Sequence, residues 1–179
     1  MVERPDRNIE VENTEETLDF WLKYLDIERS TAESIRQAQV VLLPFKSHGD
    51  LDIPFFPEST EAFLEYLKRN LEPDKSVDIC TTDADYKELA LHHDVVTLPV
   101  LFLTIVVAPT VVNVVSRYIS EKILRTKKLR MVKVSLTVQD HTGTFKQITY
   151  EGSGDEFEGI VSQKIDQMLQ GSSDDDSAN

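Results

Sequence analysis

The chain has 179 residues, 40% of them hydrophobic, with 32 acidic and 19 basic side chains and a net charge of −13. That supports one packed domain, and six glycines and seven prolines are too few for a fibrous or low-complexity chain. The single cysteine, Cys80, has no internal disulfide partner, which fits a reducing compartment, and the first 30 residues hold no apolar stretch of signal-peptide length. A cytoplasmic location is the expectation, with association at an inner membrane as the alternative.

In chain order, residues 1–13 read as a mobile arm. Residues 14–27 read as an amphipathic helix, opened by Asn13 and Glu16 and carrying Leu18, Trp21, Leu22 and Leu25 at helical spacing. Ser30 and Glu33 form a capping-box pattern for a second short helix reaching Gln39. The apolar run Val40 to Phe45 has the length of a buried strand. A helix opened by Ser59 or Thr60 carries Phe63, Leu64, Leu67 and Leu71, and Glu72, Pro73 and Asp74 stop it. Val77 to Thr81 alternates as a strand does, and Thr82 with Asp85 resembles a cap for a helix through Tyr86, Leu89 and Ala90. Residues 129–138 and 144–151 form a hairpin about the turn at Asp140 to Gly143. Ser153 and Glu156 cap a last helix with Phe157, Ile160, Val161, Ile165, Met168 and Leu169 on its apolar side. The tail, residues 171–179, is small and acidic and reads as disordered. The fold class is α/β (α+β). One domain covers residues 14–170, with an extension over 14–75 and a strand-helix-strand-strand-helix unit over 76–170 on a mixed sheet.

Val95 to Ser116 is 22 residues without a charge. As one straight helix it would be about 33 Å long at 1.5 Å per residue, the thickness of a bilayer core. Pro99, Pro109 and Asn113 count against a lipid span, because each leaves a backbone or side-chain group to satisfy. A buried helix kinked near Pro109 is the leading expectation. The alternatives are a membrane-associated effector inserting residues 95–116 into lipid, a re-entrant hairpin broken at Ala108 and Pro109 with both halves in one leaflet, and a run enclosed by a second copy or another protein.

Between Arg117 and Lys133 the charge reverses: seven basic residues face one acid, Glu121, in a chain of net charge −13. Arg117, Lys122, Arg125, Lys127, Lys128 and Arg130 are the candidate partner-binding residues. They could equally be a solvated helix end whose cations complement the helix dipole. Nucleic acid is a poor expected partner, since so acidic a surface repels a polyanion. Lys46, Ser47, His48 and Asp50 gather an amine, a hydroxyl, an imidazole and a carboxylate after a buried strand. They support a small hydrolase or transferase as a rival function, or simply a polar turn. Cys80, Asp83, Asp85, His92, His93 and Asp94 have metal-ligand types without a zinc spacing, so no metal or other cofactor is expected. Gly152, Ser153 and Gly154 lack the lysine of a phosphate loop, and the helix behind them is acidic.

The last hundred residues resemble the bacterial effector-associated constant component family. The shared layout is a strand (KSVDIC), an apolar helix with a basic end (VVNVVSRYISEKILRTKK), a hairpin (MVKVSLTVQDHTGTFKQITY) and a final helix (DEFEGIVSQKI). That resemblance implies a non-enzymatic adaptor that couples to effector proteins in conflict or signalling systems, with no catalytic residue to carry over. Protein partners, with a homo-oligomer among them, follow as the expectation.

Overall fold

The computed structural model describes residues 8–46, 53–71, 76–91, 94–125 and 130–170. The strands are β1 (Asn8–Asn13), β2 (Val40–Leu43), β3 (Phe56–Pro57), β4 (Val77–Ile79), β5 (Glu88–Leu89), β6 (Val95–Thr97), β7 (Val100–Thr104), β8 (Met131–Gln139) and β9 (Phe145–Ser153). The helices are α1 (Leu18–Tyr24), α2 (Arg29–Arg36), α3 (Thr60–Asn70), α4 (Ala108–Tyr118) and α5 (Phe157–Gln170). Together they make the expected α/β fold on a mixed sheet.

The main sheet runs β1-β9-β8-β7-β2-β4, with β6 also paired to β8, while β3 and β5 form a separate parallel pair. Helix α3 carries the chain between the parallel strands β2 and β4, and α4 carries it between the parallel strands β7 and β8. Such crossovers place helices against a sheet face. Here α3, α4 and α5 share one apolar core with Val40, Leu42, Leu101, Leu103 and the inward residues of β8 and β9. Helices α1 and α2 cover part of the opposite face through a second cluster, in which Trp21, Leu22 and Ile35 pack on Val41, Leu43, Cys80 and Val100.

The uncharged run is not one helix. Residues 95–104 form β6 and β7, and only the part from Ala108 onward continues as α4. Its density of β-branched valine, isoleucine and threonine favours the pleated strand, where a stiff side chain packs without loss. Thr97 opposes Lys133 and Leu101 opposes Leu136, so four steps on one strand match three on the other. That bulge contains Leu98 and Pro99, a position where the missing proline N–H costs no ladder bond. Pro109 stands in the first turn of α4, where no intrahelical acceptor awaits its nitrogen, so it starts the helix instead of kinking it. No helix among the described residues is long and apolar enough to cross a membrane.

Four local expectations are corrected. Residues 8–13, read as part of a mobile arm, form β1 against β9: Ile9 and Val11 alternate with Glu10 and Glu12, the period of a strand with one wet face. Helix α1 starts later than expected, because Thr17, and not Asn13, caps it by accepting the Phe20 N–H at 3.3 Å. Helix α2 begins before Ser30 and has no side-chain cap. Thr82 does bond Asp85, Oγ1 to Oδ2 at 2.7 Å, yet this closes a turn and the chain continues into β5. The stop at Glu72, Pro73 and Asp74, and the tail 171–179, lie outside the described residues.

Candidate functional site

One end of the sheet, where β2 and β4 finish and β7 and β8 start, carries the residues singled out from sequence. At the C-terminal ends of β2 and β4 lies a cavity of about 340 Å³, lined among others by Tyr24, Pro44, Phe56, Cys80, Thr81 and Lys87. Cys80 is fully buried, and burial, helped by the charge of Asp78, pushes its thiol up to about 12. A protonated, enclosed thiol is neither a nucleophile nor a metal ligand at neutral pH. Lys46 leaves the end of β2 and lies over α1, its Nζ 3.3 Å from Glu16 Oε1 and 4.9 Å from the centre of the Phe20 ring. The ammonium is thus held by a carboxylate and an aromatic face. Ser47, His48 and Asp50 lie outside the described residues, as do His92 and His93. Asp85 is held by Thr82, and Tyr86 by Glu88, whose other hydrogen bond comes from the Glu61 N–H at the start of α3. Burial and the Glu88 carboxylate raise the Tyr86 phenol well above its usual value. No group of three or more histidine, cysteine, aspartate or glutamate side chains that could hold a metal ion occurs among the described residues.

The same end of the sheet, where β8 starts, carries the basic strip. Helix α4 ends in a π turn over Ile119–Ile123, with the Leu124 N–H donating to the Ile119 carbonyl at 2.9 Å. The wider turn keeps Ile119 and Ile123 in the core while Lys122 stays outside. Arg117, Lys122 and Arg125 are exposed, and none has an ion-pair partner among the described residues. The single acid of the strip is already engaged: Glu121 accepts the Tyr66 hydroxyl at 3.1 Å. Burial first, then Glu121, raises the Tyr66 phenol, while Arg117 close by lowers it. Arg130 precedes β8, half-buried beside a cavity of about 250 Å³ with Pro57, Glu58 and Leu98. Lys127 and Lys128 lie outside the described residues. Asn113 and Ser116, one turn apart on α4, both donate to the Glu158 carboxylate of α5, at 3.2 and 3.0 Å.

The glycine cluster has a steric explanation. A Cβ on Gly152 would lie 2.7 Å from the hydroxyl of Tyr150, which is buried and donates to the Ser153 carbonyl at 2.6 Å. A Cβ on Gly154 would lie 2.8 Å from Ile119 Cγ2 and 3.0 Å from Leu124 Cδ2. Gly154 therefore seats the π turn that carries Lys122.

A third cavity, of about 350 Å³, was not foreseen from sequence. It lies between β1, the hairpin tip and the end of α5, and its lining includes Val11, Asp140, His141, Lys146, Lys164 and Met168. The Asp140 carboxylate is saturated by its own turn, accepting from Thr142 N, Thr142 Oγ1 and Thr144 N at 2.6–3.0 Å, with Lys146 Nζ at 3.5 Å. The Thr142 hydroxyl is the main reason its carboxyl stays below the usual range. The alternation of Ile9 and Val11 was the only trace of this site in the sequence. Comparison of the chain with family models, with curated proteins and with solved structures gives no match.

Proposed function

We infer that the protein is a non-enzymatic interaction module that grips an acidic partner protein through Arg117, Lys122 and Arg125, with Arg130 at the margin. The observation that carries this reading is the exposure of Arg117, Lys122 and Arg125 without ion-pair partners among the described residues, in a chain where acids outnumber bases by 32 to 19. Arg29, Arg36, Lys46 and Lys146, by contrast, each meet a carboxylate. The rigid seat of the π turn on Gly154 supports the same reading, since a fixed platform lowers the ordering cost of binding. The layout shared with effector-associated constant components points to the same adaptor class, and the buried free thiol of Cys80 suits a cytoplasmic setting.

Poly-L-glutamate is a suitable stand-in for an acidic partner. The wild-type chain is expected to bind it with an affinity that falls as salt rises. The triple variant Arg117→Glu, Lys122→Glu, Arg125→Glu, checked for unchanged thermal unfolding, is expected to lose most of that binding. Equal binding by the folded triple variant would refute the assignment.

A further inference from the structure

The first strand lies at the edge of the sheet, and its register says which of its backbone groups are free. Thr14 N–H donates to the Phe145 carbonyl at 3.0 Å, one step beyond the last β1–β9 pair, Asn13 with Lys146. Hydrogen-bonded pairs alternate along an antiparallel ladder, so Asn8, Glu10 and Glu12 bond β9, while the N–H and C=O groups of Ile9, Val11 and Asn13 point outward. No strand among the described residues pairs with that side of β1. Such an edge is usually blunted by charged side chains, a proline, a bulge or a covering element, and β1 has the charges of Glu10 and Glu12. The sequence NIEVEN has no proline, its pairing with β9 is unbroken over all six residues, and a cavity of about 350 Å³ adjoins it.

The two sides of this edge differ in chemistry. On the side of α5, Val11 is 36% exposed, and Met168, Lys146 and Lys164 share the cavity with it. Lys164 has no ion-pair partner among the described residues, and Asp140 is already saturated. On the other side, Glu10 and Glu12 stand exposed. A strand laid along β1 would therefore set one row of side chains beside apolar surface and lysine, and the alternate row beside glutamate.

We propose that β1 is a docking edge for an extended segment of a partner protein, added as a further strand, with valine-like and acidic side chains toward Lys146 and Lys164 and basic side chains beside Glu10 and Glu12. Backbone bonds to Ile9, Val11 and Asn13 supply the affinity, and the alternating rows supply the selection. This surface stands apart from the basic strip: β8 starts beside Arg130 and ends at the hairpin tip, so the two lie at opposite ends of the sheet.

The probe is a blocked peptide as long as β1 that alternates lysine with valine and aspartate, titrated into the full chain labelled for amide NMR. The amide shifts are expected to centre on Ile9, Val11 and Asn13. Val11→Pro removes an outward donor without touching the β1–β9 ladder, so it should unfold as the wild type does and bind about tenfold more weakly, the loss of one ladder bond. Lys146→Glu with Lys164→Glu should weaken binding by a similar factor of about ten. A peptide N-methylated on the amides facing β1 should not bind the unaltered chain, which tests the idea without any variant. Wild-type affinity in Val11→Pro, equal binding of the N-methylated peptide, shifts located elsewhere or no binding at all would each overturn the proposal. So would a dimer of the chain itself that disappears in Val11→Pro, because the occupant would then be a second copy. Binding of the probe by the Arg117, Lys122, Arg125 triple variant should be unchanged, so this inference and the proposed function fail separately.

Discussion

Gly154 and Gly159 are five residues apart, and the same substitution should have opposite signs at the two. Neither has the positive φ that favours glycine, so the difference lies in space alone. A methyl group at Gly154 would meet Ile119 Cγ2 at 2.8 Å and the two Leu124 methyls at 3.0 and 3.4 Å. Ile119 is fully buried, with the shared core of α3, α4 and α5 behind it, so it cannot retreat; Leu124 is half-buried and can yield only in part. Overpacking of this kind costs about 1–3 kcal/mol. For a chain of this size 1 kcal/mol shifts Tm by about 2–4 °C, so Gly154→Ala is expected to lower it by roughly 2–12 °C. Gly159 is exposed in α5 with nothing within 4 Å of its added methyl. There alanine removes backbone freedom from the unfolded chain and should stabilise by about 0.5–1 kcal/mol, raising Tm by roughly 1–4 °C. Thermal and urea unfolding followed by circular dichroism measure both. A Gly154→Ala protein as stable as the wild type would refute the seating of the π turn.

The position of Pro109 makes a prediction whose sign is informative. In the first turn of α4 it removes no helix bond, so Pro109→Ala should destabilise by about 0.4–1 kcal/mol through the freer unfolded chain. A continuous helix over residues 95–116 would instead gain about 3 kcal/mol from the same change, so higher stability would revive that reading. The Cys80 thiol should resist thiol reagents in the native protein and react in urea. Its folded value of about 12 stands above the unfolded value of 9.0, so its contribution is complete below pH 9.0 and disappears as pH rises through about 12. The wild-type urea midpoint should therefore fall toward that of Cys80→Ala as pH rises above 9.0; a gap that stays constant would refute the buried neutral thiol.

Elements with a clear period were legible from sequence. The hairpin, α3, α5 and the buried strand β2 each show alternation, helical spacing or a short apolar run, and each forms near its expected position. The uncharged middle run was not legible, because a continuous apolar stretch has no period to separate strand from helix. Its valines were the better guide than its length, and its two prolines marked a bulge and a helix start. Strand β1 was hidden for another reason. Its partner β9 is more than 130 residues away, and two apolar side chains among acids look like a polar arm until that partner is in place. The basic strip was visible as charge, but the engagement of Glu121 by Tyr66, which leaves the cations free, depends on a contact across 55 positions. The glycines at 152 and 154 were visible as a cluster, while their reason lies in Tyr150, Ile119 and Leu124.

The pairing of β1 with β9 also has a temporal side. The strand made first can find its neighbour only after the strand nearest the end of the sheet has left the ribosome. At about 5–20 residues per second, that interval is roughly seven to thirty seconds. Within it the crossover unit β2-α3-β4 can assemble early and β7-α4-β8 only just before β9, whereas β1 has no template. Pairing of β1 thus waits until all the other strands have been made, and a nascent chain stalled before β9 would hold its earliest strand open to any passing edge.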